Sequence, residues 1–196
     1  MVSRPIILIL SLMVAISNFL VFSSNWKQKI LLQDASNGEF SLPKEEINQI
    51  NHNYPNLSLN SVPILTYLSR YHSNNNDFEL AIENLINSIN KNPFNPYTKY
   101  LLSRNYILNN DLQLAESILH DTFIDFPKLD LSTILFISVL GENNNIEKLK
   151  DIYKDILAND NKEVWNYYLS SLKRSIKDDS DRLHLDKALA YFYKNF

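Results

Sequence analysis

The feature that most constrains the fold of this chain is a repeat of 34 residues in its middle part. Ala81 lies within segment 77–85, and Ala115 lies at the same place within segment 111–119. Other pairs share this offset without insertion: Leu68 and Leu102, Ser69 and Ser103, Leu85 and Leu119, Pro93 and Pro127, and the turns 75–77 and 109–111. A fixed period of this length predicts an array of similar units that stack on one another.

Each unit is expected to be two amphipathic helices joined by a short polar turn. Leu65, Leu68 and Tyr71 recur at three-residue steps and form one apolar stripe on the first helix. Ser69 should face Ala81 across the hairpin, since two small residues allow the helices to approach closely. One hairpin cannot bury its own apolar face, so neighbouring hairpins must stack. The sequence therefore predicts an all-α fold.

The ends of the second helices carry their own signals. Asp77 and Asp111 precede these helices and can accept hydrogen bonds from the unpaired backbone N–H groups of the first turn. Pro93 and Pro127 are predicted to end the helices, because the residue before a proline resists the α conformation.

The repeat becomes weaker towards the carboxyl terminus. A third unit at 130–161 keeps the spacing, but Ile137 and Leu149 take the close-contact positions, and two bulky residues should splay that hairpin. A fourth pair of helices, at about 163–177 and 180–195, has Leu183 in the alanine position and is predicted to cap the array.

This pattern of small residue, alanine, large apolar residue and terminal proline resembles the tetratricopeptide repeat (TPR) family, most closely over residues 62–128. The large aromatic residue that opens the family's repeat is replaced by Leu65, Lys99 and Thr133. The resemblance implies an α-solenoid with two clear repeats at 62–95 and 96–129, one or two degenerate ones, and capping helices at 162–196.

An uncharged apolar stretch lies near the amino terminus. Residues 6–22 carry no charge, and their polar side chains are Ser11, Ser17 and Asn18. As a helix this stretch reaches roughly 25 Å, just short of a hydrocarbon core of about 30 Å. Trp26 and the lysines after it are typical of an interfacial anchor. We interpret residues 1–24 as a single transmembrane anchor that contacts the membrane through residues 6–22.

A cleaved signal peptide is the alternative interpretation of this segment. Arg4, the apolar stretch and the small-residue triplet 15–17 form such a pattern, but the apolar run continues to Phe22, where a mature terminus should be polar. With Arg4 in the cytoplasm, both interpretations place the remaining chain on the non-cytoplasmic side, although Lys27 and Lys29 oppose this orientation. We expect a single-pass protein of the bacterial inner membrane, or an exported protein if cleavage occurs.

The segment after the apolar stretch is predicted to be a linker over residues 25–42, because 34–39 is rich in polar, turn-forming side chains. A short helix is expected from about Pro43 to Tyr54, with Pro55 ending it. Residues 43–196 then make up the predicted repeat domain.

The TPR resemblance also implies a binding groove, because the family's first helices line a concave face that takes extended or helical peptides. Its residues would be Thr66, Arg70 and Ser73 from the first repeat, Tyr97, Tyr100, Arg104, Ile107 and Leu108 from the second, and Leu131, Ile134 and Ser138 from the third. Arg70 and Arg104 share one repeat position and are expected to stack, where two guanidinium groups can grip a carboxylate. The alternatives to a binding role are that the arginines form ion pairs at the surface and that Tyr97 and Tyr100 pack between repeats.

Composition excludes several kinds of chemistry. The chain has no cysteine, which excludes a disulfide framework, a zinc ribbon and a thiol nucleophile. Its two glycines exclude most Gly-rich phosphate loops, and its four histidines are scattered without metal-ligand spacing. A net charge of -3 provides no electrostatic footprint for nucleic acid. We expect no cofactor, metal, small-molecule substrate or nucleic-acid partner.

Together with the resemblance, these observations imply a non-catalytic, membrane-tethered scaffold or assembly factor that holds a protein partner, either a peptide or a subunit of a membrane or envelope complex. An accessory subunit of a membrane enzyme, such as a glycan polymerase or ligase, is the alternative. A helical repeat protein that binds RNA is opposed by the net acidity and the apparent export signal.

Overall fold

The computed structural model describes residues 4–54 and 56–196, and these ranges are built from helices without a named β-strand. One isolated β-bridge joins Leu57 and Pro63. The structure confirms the all-α prediction.

The chain divides into two compact units, Met1–Thr98 and Lys99–Phe196. Unit 1 contains α1 (Arg4–Asn37), α2 (Lys44–Ile47), α3 (Ile64–Asn74) and α4 (Phe78–Lys91). The boundary falls within α5 (Pro96–Leu108). Unit 2 continues with α6 (Leu112–Asp125), α7 (Asp130–Glu142), α8 (Ile146–Asp151), α9 (Tyr153–Leu157), α10 (Lys162–Ser175) and α11 (Asp179–Asn195).

The 34-residue period reappears as one repeated turn at the end of the first helix of three hairpins. Asn76, Asn110 and Asn144 have left-handed backbones, with φ of 61°, 59° and 50°. After each of them, a backbone N–H bonds to the carbonyl five residues earlier, at 2.8 Å for Asp77, 2.8 Å for Asp111 and 2.9 Å for Asn145. This is the Schellman arrangement, which Asn tolerates better than most residues. The asparagine turns therefore end α3, α5 and α7 in the same way.

The small residues predicted to lie at the hairpin contacts are all buried. Ser69 and Ala81 are fully buried in unit 1, and Ser103 and Ala115 are fully buried in unit 2. In the third hairpin the bulkier Ile137 and Leu149 are buried equally completely. The second helix of this hairpin is interrupted at residue 152, which separates α8 from α9.

The predicted capping by aspartate is found at one of the two helices. The Asp111 side chain accepts a hydrogen bond from the Leu114 backbone N–H at 3.1 Å. Asn145 makes the equivalent bond to the Lys148 N–H in the next hairpin. Asp77, predicted to do the same, caps nothing with its side chain; its carboxylate lies 4.0 Å from His72 Nδ1 instead.

Residues 25–42, which we predicted to be a linker, are mostly helical, because α1 continues to Asn37 and ends at Gly38 with a φ of 75°. The reason is tertiary: Leu31 and Ala35 are fully buried in the core of unit 1, where α1 packs against α3. The local sequence of this segment is polar and typical of turns, but the burial of one face of the helix stabilises the helical conformation. The expected helix after Pro43 is also shorter than predicted, since α2 ends at Ile47; its predicted stop at Pro55 lies outside the described residues.

Two polar side chains secure the inner part of α1. Burial disfavours the Asp34 carboxylate, but hydrogen bonds from Ser41 and Tyr71 outweigh that effect and hold the pKa of Asp34 below its usual value. Gln28 donates a hydrogen bond to the Asn51 carbonyl. The inner part of α1 is therefore an integral element of unit 1.

Candidate functional site

A polar cleft of unit 2 lies between α7 and α10, the first helices of two consecutive hairpins. Its volume is about 520 Å³. It is lined by Ser138, Glu142, Asn166, Tyr167, Ser170, Ser171 and Arg174. We call it the α7–α10 cleft.

The helices α7 and α10 are in close contact at Ser171, one of the residues that line this cleft. A Cβ atom added to Gly141 on α7 would lie 2.7 Å from Ser171 Oγ and 2.8 Å from Ser171 Cβ on α10. Gly141 therefore allows a separation between the helices that a larger residue would prevent.

The walls offer groups that suit a peptide backbone. Glu142 and Arg174 form an ion pair at the edge, and each side chain is more than half exposed. Asn166 and Ser170 are exposed or partly exposed, and their side chains have no hydrogen-bond partner among the described residues. Tyr167 adds an exposed aromatic ring beside them. Amide, hydroxyl and aromatic groups of this kind bind extended chains through hydrogen bonds and stacking.

Ser138 is the predicted groove residue that lies in this cleft. Its hydroxyl donates a hydrogen bond to the Ile134 carbonyl at 2.8 Å. Ile134 is partly buried against the core of unit 2, whereas Leu131 is 63% exposed. Of the three residues predicted from the third repeat, Ser138 and Leu131 are available to a partner.

The predicted residues of α5 that belong to unit 2 have different environments. Arg104 and Leu108 are exposed, four residues apart and thus on one face of the helix. Arg104 forms no ion pair among the described residues. Ile107 packs against the core of unit 2, and Tyr100 is half-buried.

The predicted residues in unit 1 are mostly structural. Thr66 is fully buried and shares a 2.9 Å hydrogen bond with Thr98, so its placement on a groove surface was wrong. The Arg70 guanidinium lies 5.2 Å from the centre of the Phe40 ring, a cation–π contact. Tyr97 is half-buried against the core of unit 1, which agrees with the packing alternative, and Ser73 is half-buried. The stacking of Arg70 on Arg104 stays a prediction, since the two residues belong to different units.

Other polar clusters of unit 2 hold the fold together. The Glu116 carboxylate accepts hydrogen bonds from Lys148 Nζ and from the Asn143 amide, both at 2.6 Å. Burial disfavours ionisation of Glu116, but these bonds have the larger effect, and the pKa of the carboxyl is lowered. The Tyr168 hydroxyl donates a hydrogen bond to the Leu149 carbonyl at 2.8 Å, and burial raises its pKa. Burial also lowers the pKa of the adjacent His184. Among the described residues, no three His, Asp or Glu side chains are grouped as metal ligands.

The contribution of α10 to the cleft was not predicted from the sequence. Continuing the 34-residue register from Thr133 leads to Tyr167 on the next first helix, so the signal existed in the spacing. The sequence predicts only a capping role for the fourth hairpin, because the small-residue and proline signature is absent from it.

No protein-family model matches this sequence, and the comparison with curated proteins returned no match. Among solved structures, the chain is similar to a crystal structure of a thermophilic TPR protein from Thermus thermophilus. The TM-score is 0.53 at 16% sequence identity, and the match covers 85% of this chain and 99% of the other. At this identity the likeness shows the fold alone, and that fold is TPR-like.

Proposed function

We propose that this protein is a non-catalytic, membrane-tethered scaffold or assembly factor that holds a protein partner for a membrane or envelope complex. The observation that carries the proposal is the division of α1 into an exposed apolar part and an inner part docked in unit 1. TPR-like folds generally mediate protein–protein interactions, and the similar solved structure also points to a non-catalytic repeat fold.

The outer part of α1 supports the tether. From residue 5 to residue 20 every side chain is exposed, although most of them are large and apolar. The helix is long and apolar enough to cross a membrane. Water is a poor solvent for such a surface, so a bilayer is the environment that this stretch requires. We propose a single pass, with the repeat units on the non-cytoplasmic side of a bacterial inner membrane.

The α7–α10 cleft supports the partner site. It presents hydrogen-bonding groups and an exposed tyrosine rather than a closed apolar cavity. Such a surface suits an extended peptide segment of a protein partner, because backbone amides can bond to Asn166 and Ser170. Arg104 and Leu108 on α5 of the same unit add a free cation and an apolar side chain for the same partner.

Site-specific photocrosslinking tests this proposal in intact membranes. A photoreactive phenylalanine analogue replaces Tyr167 in the full chain, and the matched control places it at exposed Gln113 on α6. We expect one discrete crosslinked protein from position 167 and a much weaker product from position 113. The product should also decrease when Arg104→Glu is added. Equal crosslinking at both positions would show that the cleft is not the partner site.

Membrane extraction and intact mass test the proposed membrane anchor separately. The full-length protein should stay in the membrane pellet after extraction with alkaline carbonate, and its intact mass should include the amino-terminal apolar stretch. Release into the supernatant, or a mass that lacks this stretch, would favour the exported form instead.

A further inference from the structure

We propose that unit 1 rests on the membrane through an interfacial patch, formed by the exposed side chains of Trp26, Tyr54, Leu59 and Phe94, whose occupant is the headgroup region of the bilayer that holds α1. This inference rests on the proposed function, because it requires α1 to lie in a membrane. Through Tyr54, Leu59 and Phe94 it adds a contact between the protein and the lipid that lies outside α1.

The position of the membrane boundary on α1 follows from the helix rise. Residues 5–22 cover about 27 Å at 1.5 Å per residue, close to the thickness of about 30 Å expected for a hydrocarbon core. The boundary therefore lies near Ser23 and Ser24. Trp26 follows with 57% of its surface exposed, and tryptophan is enriched at the level of lipid headgroups.

A neighbouring segment is held at the same level. Ser24 Oγ donates a hydrogen bond to the Tyr54 carbonyl at 2.8 Å. One turn further along α1, Gln28 donates to the Asn51 carbonyl. Residues 51–54 thus run beside α1 towards its apolar end, and Tyr54 lies beside Ser24. The Tyr54 side chain is 63% exposed, and tyrosine shares the interfacial preference of tryptophan.

Two further hydrogen bonds bring in the carboxyl end of α4. Lys91 Nζ donates to the His52 carbonyl at 3.3 Å, and Asn92 Nδ2 donates to the Ser61 carbonyl at 2.7 Å. The turn around Ser61 and the loop after α4 are therefore neighbours of segment 51–54. The turn carries Leu59, which is fully exposed, and the loop carries Phe94, which is 80% exposed.

Leu59 and Phe94 make no contribution to the core of unit 1. The segments that carry them are connected to α1 by the hydrogen bonds of residues 51–54 and of the end of α4. Removal of such surface from water is favourable, and a lipid interface is the nearest apolar phase. Lys27, Lys29 and Lys91 add cations that suit anionic headgroups. Charge is a secondary contribution, because Glu46 lines the same shallow pocket as Lys27.

The absence of cysteine from the sequence makes spin labelling a direct test. Single cysteines replace Leu59, Phe94, Leu12 or Glu79 in the full chain, each carrying a nitroxide, in vesicles of phosphatidylcholine with a minor fraction of phosphatidylglycerol. Power-saturation EPR compares collisions with oxygen, which concentrates in lipid, and with a water-soluble nickel chelate. Glu79 is the matched control, since it is exposed at the opposite end of α4 from Lys91.

We expect the ratio of oxygen to nickel accessibility to be several-fold higher at positions 59 and 94 than at position 79, and highest at position 12. A high ratio at position 12 with positions 59 and 94 equal to 79 would overturn the interfacial patch and leave the anchor standing. A low ratio at position 12 would overturn the anchor and the patch together. Low accessibility to both reagents at positions 59 and 94 would mean that a protein or a second copy covers the patch, which also overturns the lipid proposal.

Discussion

The Tyr71 hydroxyl donates a buried hydrogen bond to the Asp34 carboxylate, and this contact joins α3 to the inner part of α1 across 37 residues of sequence. The same carboxylate accepts hydrogen bonds from the backbone N–H and the hydroxyl of Ser41. Together these bonds hold the end of α1 and the turn that follows it. The helix α1 and the hairpin of α3 and α4 are thereby coupled, and the described residues contain no flexible connector between them.

Loss of this bond should loosen α1 from unit 1. We expect Tyr71→Phe to lower the free energy of unfolding by about 1.5–3 kcal/mol, because it leaves a buried carboxylate with one donor fewer. Hydrogen exchange measured by mass spectrometry should show lower protection over residues 28–37. Tyr67→Phe in the same helix is the control, and an equal loss of protection there would argue against a specific role for the Asp34 contact.

The stability contributed by Asp34 should depend on pH. Its folded-state pKa lies below the ordinary value of 3.8, so the contribution is present above that value and is lost as the pH falls through the folded pKa. The deficit of Asp34→Asn relative to wild type, measured by urea unfolding, should therefore be largest near neutral pH and shrink in acid. Parallel stability curves from neutral to acidic pH would contradict this assignment.

Gly141→Ala should destabilise unit 2. Alanine is the better helix former by about 1 kcal/mol, but its Cβ would overlap Ser171 on α10, and overpacking typically costs about 1–3 kcal/mol. The intrinsic fluorescence of Trp165, which is fully buried on α10, reports the unfolding of this unit. Ser170→Ala on α10, next to the contact residue, is the matched control. A variant more stable than wild type would show that the helices can separate freely.

The asparagine turns should respond to substitution according to their backbone conformation. Asn110 has a φ of 59°, where a residue with a Cβ is disfavoured and glycine is not. We expect Asn110→Gly to stabilise the protein by up to about 1 kcal/mol and Asn110→Ala to destabilise it by a similar amount. Asn109→Ala is the control one residue earlier, where φ is not positive. Equal thermal midpoints for the two variants at position 110 would contradict the turn assignment.

The sequence by itself determined the helical class and the hairpin spacing, because both depend on local signals. The recurrence of Ala81 at Ala115 and of the asparagine turns reports directly on close helix contacts and left-handed residues. These signals act within a few residues of each other, so they can be read without knowing the rest of the fold.

Tertiary structure alone decided where α1 ends and what forms the cleft. Residues 25–37 have no strong helical signal, and the burial of Leu31 and Ala35 against α3 keeps them helical. The α7–α10 cleft depends in the same way on the contact between Gly141 and Ser171, which lie 30 residues apart in the sequence. Thr66 was misplaced on a surface because its partner, Thr98, is identified only by packing. Contacts between distant residues have no local signature, and for this reason the structure was needed to find them.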